Sequence, residues 1–236
     1  MIMPALNEAR RLPNSLIKVD EFLKQQSYTA ELIVVENGST DTTVQVVEDF
    51  AKTHPYVRLF KGEPRGKGRA VRRGMIEARG DYRFMCDVDL SMPIEEISKF
   101  LPPTLNGVDV AIGSREVKGA VRYNEPTYRH LMGRISNLMI KLLVLPGFED
   151  TQCGFKMLSA EAAKDIFSVG RMNGIGFDIE LMYIAVKRGY KVAEIPIHWY
   201  YDADTKMRAV QDSFVIFREM LEIRRNWSAG LYKKRT

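Results

Sequence analysis

The sequence predicts an α/β protein built on a mostly parallel, doubly wound β-sheet with helices on both faces. Short apolar runs rich in β-branched residues alternate along the chain with longer segments of helical periodicity. Such alternation is typical of parallel strands, which need helical crossovers between them. The run "AELIVVE" (30–36) is apolar almost throughout, as expected of a strand that helices cover on both faces.

The predicted elements follow one another regularly. We expect strands at 2–5, 30–36, 57–60, 81–89, 109–115 and 191–199. We expect helices at about 13–26, 41–53, 67–79, 93–101, 125–144, 159–168 and 177–189. Apolar and basic residues in 213–227 predict a C-terminal amphipathic helix. We therefore divide the chain into a main domain, 1–207, and a C-terminal extension, 208–236, whose basic end we expect to be loosely held.

Composition narrows the classes of function. The chain has 236 residues and a net charge of +5, which suits phosphate-rich ligands or an anionic membrane surface. Its basic residues are dispersed without an aromatic-rich reading motif, so we expect no nucleic-acid partner. Two distant cysteines favour a reduced, cytoplasmic location and argue against a zinc site. No apolar run is long enough to predict a membrane span.

Polar residues follow the first two predicted strands. Pro4 ends the first strand, and Asn7 and Glu8 lie in the turn after it. Glu36 ends the second strand, before a tight Asn-Gly turn. Asn7 could cap a helix. Glu36 is an acid at the end of a buried strand and could accept hydrogen bonds from a nucleobase or a ribose.

A glycine-flanked lysine opens the third predicted helix. Lys67 lies between Gly66 and Gly68, and helix N-termini favour anions. The spacing differs from that of a Walker A loop. The segment is therefore either an anion site or a flexible basic loop.

The stretch "FMCDVDLSMP" (84–93) places Asp87 and Asp89 one residue apart at a predicted strand end. On an extended segment their side chains point to opposite sides. One could hold Mg²⁺ or Mn²⁺, and the other could hold a sugar or ribose hydroxyl. The alternative is a strand that runs into a solvated turn.

Taken together, "PALNE", "VVENGSTD", "RGKGRAVRRGM" and "CDVDL", in this order, resemble the family-2 glycosyltransferases with the Rossmann-like GT-A fold. The later segments "DTQCGFKML" (150–158) and "GFDIEL" (176–181) are similar to those of dolichyl- or polyprenyl-phosphate sugar transferases. The dolichyl-phosphate β-glucosyltransferases are the nearest match and the dolichyl-phosphate mannose synthases the next. The resemblance covers nearly the whole chain.

The resemblance implies a nucleotide-sugar donor, with UDP-glucose favoured and GDP-mannose possible. It implies inverting transfer of a hexose to dolichyl or polyprenyl phosphate, with Mg²⁺ or Mn²⁺ as cofactor. Asp87 and Asp89 would form the metal site, with Asp89 as the direct ligand. The residues implied around the nucleotide are Pro4, Asn7, Glu8, Glu36, Lys67 and Asp87.

The resemblance also implies an acceptor site. Arg115 and Arg129 would hold the acceptor phosphate and act in catalysis with the aspartate pair, since guanidinium groups suit phosphate. Arg134, Thr205 and Lys206 are further candidates for this site. Asp150, Gln152 and Asp178 would shape the sugar pocket, and Asp178 matches a position that serves as a base in related saccharide transferases. The arginines could instead form surface ion pairs, and the sugar-pocket residues could satisfy buried polar groups.

Four positions, in three segments, depart from the family pattern. Glu36 and Asn37 replace two aspartates, and Ser91 replaces a glutamine that is usual in mannose synthases, which weakens the mannose interpretation. Gly133 replaces a serine that often follows the second acceptor arginine. Because the serine hydroxyl is missing, we expect looser phosphate binding at that point.

A lipid acceptor raises the question of membrane contact. Apolar residues in 125–144 and 213–227 form stripes beside arginines, which suits a peripheral position on the cytoplasmic membrane face. Alternatively, both stripes pack on the sheet.

Three other functions stay open: a GDP-mannose-dependent synthase, a transferase acting on a soluble or cell-envelope saccharide, and a non-catalytic nucleotide-sugar-binding module. The sequence does not indicate an oligomeric state.

Overall fold

The computed structural model describes residues 1–204 and 209–233. Its main sheet has seven strands in the order β3-β2-β1-β4-β7-β5-β8. These strands are β1 (Ile2–Ala5), β2 (Leu32–Glu36), β3 (Val57–Phe60), β4 (Tyr82–Met85), β5 (Val110–Ser114), β7 (Lys156–Ser159) and β8 (Val192–Pro196). A small second sheet pairs β6 (Val121–Tyr123) with β9 (His198–Tyr200). The mostly parallel sheet that the sequence predicted is confirmed.

Helices cover both faces of the main sheet. They are α1 (Leu12–Lys24), α2 (Thr43–Ala51), α3 (Lys67–Glu77), α4 (Thr127–Leu143), α5 (Ala160–Val169), α6 (Phe177–Lys187) and α7 (Ala209–Ser228), with a short 3₁₀ helix at Ile94–Lys99. One core lies between the sheet and α1, α2 and the 3₁₀ helix. The other core lies between the sheet and α3 to α7. No helix among the described residues has the length and apolarity needed to cross a bilayer.

The strand predictions need several corrections, and one of them is that β6 was not predicted as a strand. The segment 156–159 was not predicted as a strand, yet β7 inserts antiparallel between β4 and β5. The strand predicted for 81–89 ends at Met85, because the chain turns at the two aspartates. The strand predicted for 191–199 breaks after Pro196, which has no N–H group to continue a ladder. Its last part becomes β9 and pairs with β6.

The end of the chain is held more firmly than the sequence suggested. Tyr232 is fully buried, and its hydroxyl donates to the Glu180 carboxylate at 2.6 Å. Its carbonyl oxygen accepts from the Arg188 guanidinium at 2.6 Å. The expectation of a loosely held tail is therefore wrong for the described residues up to 233. Helix α7 packs in the same core through Ile216 and Met220.

Candidate active site

The chain's polar motifs meet at one edge of the main sheet. Strands β1, β2, β4 and β5 point the same way, so the loops after them lie at a common edge. Because β7 is antiparallel to its neighbours, its first residue, Lys156, lies at this edge opposite Met85 and Ile112. Ligands of open α/β sheets bind at such an edge.

The loops after β1 and β2 are joined by Asn7. Its side-chain oxygen accepts from the Thr40 N–H at 2.8 Å, and its own N–H donates to the Ser39 hydroxyl at 3.0 Å. Beside it, the Glu8 N–H donates to the Thr43 hydroxyl at 2.8 Å. Asn7 has a φ of 52°, a left-handed conformation that asparagine tolerates better than most residues. Asn7 thus ties two site loops together. Pro4 pairs with Val35 inside β1, which runs on to Ala5, so the expectation that Pro4 ends the strand is wrong.

Glu36 closes the turn after β2. Its buried carboxylate accepts from the Ser39 N–H and from the Gly62 N–H, the latter at 3.2 Å. Burial alone would raise the pKa of Glu36, but these backbone donors outweigh it and lower the pKa. The carboxylate is therefore ionised at neutral pH and holds the loop in shape. Its contact with a nucleobase stays a prediction.

Asn37 explains one departure from the family pattern. In the amide orientation that satisfies both neighbours, its nitrogen donates to the Ala5 carbonyl at 2.8 Å. Its oxygen accepts from the Gly66 N–H at 3.1 Å. An aspartate could not donate to Ala5, so the asparagine suits a buried position between β1 and the loop before α3.

Two backbone N–H groups at the start of α3 are bonded to another loop of the chain. The Gly68 N–H donates to the Gly174 carbonyl at 3.3 Å, and the Arg69 N–H donates to the Asn173 carbonyl at 3.4 Å. These two backbone donors are therefore occupied by the chain itself. The positive charge at this place comes from the Lys67 side chain, whose contact with the nucleotide stays a prediction.

The aspartate pair lies in a turn, so the expectation of an extended segment is wrong. The Leu90 N–H bonds back to the Asp87 carbonyl at 3.3 Å, and Leu90 has a φ of 47°. Asp89 accepts from the Ser91 N–H at 2.9 Å. Desolvation by the surrounding protein and the nearby charge of Asp87 raise the pKa of the Asp89 carboxyl. A cation beside Asp89 would relieve this repulsion.

Asp87 is held between a lysine and a glycine. Its Oδ1 lies 2.6 Å from the Lys67 Nζ. Its other oxygen faces Gly154, where a Cβ would overlap the carboxylate. Burial would lower the pKa of Lys67, but Asp87, Asp178 and Asp89 outweigh it and raise the pKa. Lys67 is therefore a permanent cation beside the aspartate pair.

Asp178 lies in the first turn of α6 and is buried with a lysine. Its Oδ1 lies 2.5 Å from the Nζ of Lys156, a side chain that is fully buried. Lys156 also donates to the Cys153 carbonyl. Burial raises the pKa of Asp178, and the ammonium groups of Lys156 and Lys67 only partly offset this effect. The sequence singled out Asp178 but not its partner.

Asp150 forms a two-pronged ion pair with Arg115. The Arg115 Nε lies 2.7 Å from Asp150 Oδ2, and its Nη2 lies 3.0 Å from Oδ1. Burial would raise the pKa of Asp150, but Arg115 outweighs it and lowers the pKa. Gln152 accepts from the Ser136 hydroxyl of α4 at 3.3 Å. The guanidinium of Arg115 is thus fixed, with much of its charge balanced, next to the end of β5.

Arg122, which sequence reasoning missed, lies beside Arg115. It pairs with Glu116 and, at 2.7 Å, with Glu125. The guanidinium carbons of Arg115 and Arg122 lie 5.5 and 5.8 Å from the centre of the Trp199 ring, within cation–π range. The sequence offered no signal for Arg122 beyond its charge, because its position opposite Trp199 is set by the β6–β9 pairing.

Arg134 and Arg129 differ in their partners. The exposed Arg134 pairs with Glu116 at 3.3 Å. Within residues 1–204 and 209–233, Arg129 has no ion pair with a carboxylate. Its guanidinium carbon lies 5.7 Å from the centre of the Tyr201 ring, and its Nε is 3.4 Å from the Tyr128 hydroxyl. Arg129 therefore carries a charge that no ion pair among the described residues balances. Thr205 and Lys206 lie outside the described residues.

The donor set fits a divalent metal that is shared with a substrate. Asp87 and Asp89 supply hard carboxylate oxygens, which Mg²⁺ and Mn²⁺ accept. Over the part of the chain that the structure describes, no three acidic, histidine or cysteine side chains form a metal cluster. The two aspartates therefore suit an ion whose remaining ligands are phosphate oxygens and water rather than a closed protein cage.

The sequence model of glycosyl transferase family 2 matches residues 1–167, which include the loops after β1, β2 and β4 and the segment around Asp150. The chain belongs to glycosyltransferase family 2. Its enzyme class follows from this membership. The family-2 sequence motifs lie at the edge of the sheet described above.

Among curated relatives, this glycosyltransferase is 33% identical to a dolichyl-phosphate beta-glucosyltransferase of Trichomonas vaginalis, over 98% of this chain and 72% of that protein. It is 29% identical to the human dolichyl-phosphate beta-glucosyltransferase, over 99% of this chain and 76% of that protein. It is also 34% identical to a dolichol-phosphate mannosyltransferase of Pyrococcus furiosus, over 83% of this chain and 54% of that protein.

Solved structures share the fold of this glycosyltransferase. Glucosyl-3-phosphoglycerate synthase from Mycobacterium tuberculosis, in complex with Mn²⁺, UDP-glucose and phosphoglyceric acid, superposes with a TM-score of 0.66. The match covers 94% of this chain and 78% of that chain at 19% identity. At this identity the likeness concerns the fold.

Two residues of the family-2 site were missed although their motif was recognised. Gly154 and Lys156 both lie in "DTQCGFKML". The motif pointed to Asp150 and Gln152 because polar side chains suggest ligand contacts. The glycine and the lysine act on Asp87 and Asp178, which lie far away in sequence, and only the position of β7 in the sheet brings them together.

Proposed function

We propose that this enzyme transfers a hexose, in the first place glucose, from UDP-glucose to dolichyl or polyprenyl phosphate with inversion at the anomeric carbon. Several relatives named as dolichyl-phosphate beta-glucosyltransferases match nearly the whole chain. The structural observation that carries the proposal is Arg129, a guanidinium without a carboxylate partner among the described residues, beside the balanced pairs of Arg115 and Arg122.

The donor half of the site would lie at the ends of β1, β2 and β4. Asn7, Glu8 and Glu36 shape the loops around the nucleotide, with Pro4 at their base. Asp89 would hold Mg²⁺ or Mn²⁺ directly, since Asp87 already contacts Lys67 and Gly154. When bound, the cation neutralises charge on the diphosphate leaving group. Lys67 adds a fixed positive charge at the same place.

The acceptor half would lie between β5, α4 and the β6–β9 sheet. Arg129 would bind the acceptor phosphate, and Arg115 would bring a second guanidinium that Asp150 keeps in place. Arg134, Thr205 and Lys206 are further candidates for this phosphate. Asp150, Gln152 and Asp178 would border the sugar. Planar guanidinium groups match phosphate oxygens in geometry as well as charge.

An ionised phosphate acceptor needs little help from a base. Its oxygen already carries charge near neutral pH, so orientation and charge stabilisation contribute most of the rate. A saccharide acceptor would instead need a base, for which Asp178 is the candidate. The raised pKa of Asp178 would suit a base, but its Oδ1 is held by the buried Lys156. This geometry favours the phosphate acceptor.

The experiment that tests the donor is turnover with a short polyprenyl phosphate and Mg²⁺, with UDP-glucose and GDP-mannose supplied in parallel. We expect a glucosyl lipid and free UDP from the first donor and a much slower reaction from the second. A preference for GDP-mannose would move the assignment to a mannose synthase, in line with the Pyrococcus relative. Binding of either donor without turnover would indicate a non-catalytic module.

We further propose that the enzyme contacts the cytoplasmic face of a membrane through α4 and α7. These helices pack on each other, and the Arg224 guanidinium donates to the Leu143 carbonyl at 3.1 Å. Leu142 is 74% exposed and Phe214 is 75% exposed. Other exposed apolar side chains on the two helices are Tyr128, Leu131, Ile135, Leu138, Phe217 and Leu221.

The charge around this apolar surface suits anionic lipid. Arg134, Arg218, Arg224 and Arg225 are exposed on the same two helices. An apolar face bordered by arginines favours the interface of an anionic bilayer. The alternative, that the apolar residues pack on the sheet, holds only for the opposite face of each helix, where Ile140 and Ile216 are buried.

A vesicle flotation assay tests the membrane proposal. We expect the protein to float with vesicles that contain anionic phospholipid and to stay in solution after the double change Leu142→Glu and Phe214→Glu. Ile17→Glu is the matched control, because Ile17 is half exposed on α1, on the other face of the sheet. A wild-type protein that never floats would exclude this surface as a membrane contact.

A further inference from the structure

Helix α7 touches the active-site edge through one carboxylate. The half-buried Glu219 accepts a hydrogen bond from the Gly176 N–H at 2.7 Å. Gly176 is where α6 begins, because its carbonyl accepts from the Ile179 N–H at 3.1 Å and from the Glu180 N–H at 3.0 Å. Asp178 follows two residues later. Glu219 therefore holds the backbone from which the Asp178 turn starts.

The contact between Glu219 and this loop is close. At Gly176 a Cβ would overlap the Glu219 carboxylate, so only glycine permits the approach. At Gly174 a Cβ would lie 3.1 Å from the other Glu219 oxygen. Both carboxylate oxygens thus face backbone without side chains, and the interaction depends on the position of the backbone rather than on a flexible partner.

The loop held by Glu219, residues 171–176, also supports α3. Its Gly174 and Asn173 carbonyls accept from the Gly68 and Arg69 N–H groups. These two residues directly follow Lys67, which pairs with Asp87. The 171–176 loop therefore lies between α7 on one side and two charged pairs, Lys67–Asp87 and Lys156–Asp178, on the other.

We infer that Glu219 is a positioning residue for the transfer reaction. It holds the 171–176 loop at Gly176, whereas Glu180 holds Arg171 and Met172 at the other end. The Gly176 end of the loop sets the position of Asp178 relative to Lys67. Glu219 itself does not need to touch the substrate. Phe214 and Leu221 are exposed on the same helix, so a membrane bound to that face of α7 is connected to the site through this contact. The inference rests on the proposed function only for the choice of assay.

Steady-state kinetics and hydrogen exchange test the inference together. We expect Glu219→Ala to lower kcat about tenfold, because small displacements of charged groups cost rate, and to leave KM for UDP-glucose within about twofold. Amide exchange in 172–178 should become faster. Glu219→Gln keeps an acceptor oxygen and should restore most of kcat. Glu219→Asp, shorter by one methylene, should behave like Glu219→Ala and serves as the second variant if Glu219→Ala folds poorly.

Glu222→Ala is the matched control, because Glu222 is exposed on the same helix. Wild-type kcat in Glu219→Ala and Glu219→Asp would overturn the inference, as would an equal loss in Glu222→Ala. Lower thermal stability with unchanged kcat would show a merely structural role and would also overturn it. If the wild type transfers no sugar, the proposed function fails, whereas faster exchange in 172–178 of Glu219→Ala, absent from Glu222→Ala, still supports the coupling.

Discussion

The Lys67 ammonium lies 2.6 Å from the Asp87 carboxylate, although Lys67 opens α3 and Asp87 follows β4. Asp178 and Asp89 act on the same ammonium and raise the pKa of Lys67 further. One lysine thus balances an edge of the sheet that collects several carboxylates. Without it, like charges would repel one another where a diphosphate must also bind.

Replacing Lys67 with methionine removes this charge and keeps a side chain of similar length. We expect kcat/KM for UDP-glucose to fall about 10²-fold, as is usual when a charged group that stabilises a leaving group is lost. Steady-state kinetics with a polyprenyl phosphate acceptor measures this. Lys61→Met is the control, since Lys61 is exposed and pairs with Glu48. Equal kinetics for the two variants would contradict the role of Lys67.

Gly154→Ala tests the packing of Asp87. The added methyl group would overlap the Asp87 carboxylate, so the carboxylate that pairs with Lys67 must shift. We expect kcat/KM to drop by about 10²-fold, because misplacement by about 1 Å can have that effect. A crystal structure of the variant would show the displacement of Asp87, and the Mn²⁺ dependence of turnover would show its effect on metal binding. The control Gly80→Ala lies at the other end of β4 and should keep its activity; normal turnover in Gly154→Ala would rule out tight packing at Asp87.

Asn37→Asp tests the amide that joins β1 to the loop before α3. The carboxylate would lose the bond to the Ala5 carbonyl and face that oxygen in a buried place. We expect the free energy of unfolding to decrease by about 1–3 kcal/mol, as measured by urea denaturation. Asn14→Asp, at an exposed position in α1, should change little. A gain in stability from Asn37→Asp would show that the amide bridge is not formed.

The Arg115–Asp150 ion pair predicts how the stability of the folded protein falls at acid pH. Arg115 lowers the pKa of Asp150 below its ordinary value of 3.8. The ionised carboxylate therefore contributes stability that is complete above the unfolded pKa and is lost as pH falls through the lower folded pKa. Thermal melts between about pH 7 and about pH 3 should show a shallower acid decline for Asp150→Asn than for the wild type. Parallel profiles would exclude this contribution.

The main sheet could be predicted because its signals are local. The continuous run that became β2 and the helical periodicity around α3 depend on neighbours in sequence. The aspartate pair was also found by its spacing. The turn that contains this pair was not predicted, because it depends on tertiary structure. Leu90 has a left-handed conformation, and the Ser15 hydroxyl donates to the Val88 carbonyl at 2.5 Å.

Several contacts of charged residues could not be predicted because they join separate elements of the chain. Lys156 meets Asp178 only because β7 inserts antiparallel beside β4. Arg122 meets Trp199 only because β9 leaves the main sheet to pair with β6. Glu219 reaches Gly176 only after α7 folds back on α6. Each contact depends on chain topology, which residue type and spacing do not encode.

The most direct test of the central claim compares acceptors. The protein would be incubated with UDP-glucose, Mg²⁺ and a short polyprenyl phosphate, and in parallel with the unphosphorylated alcohol or a glucose oligosaccharide. We predict transfer to the phosphate alone, and a loss of about 10²-fold in Arg129→Gln because a charge-assisted phosphate contact disappears. Equal or faster transfer to the alcohol or the oligosaccharide would contradict the account.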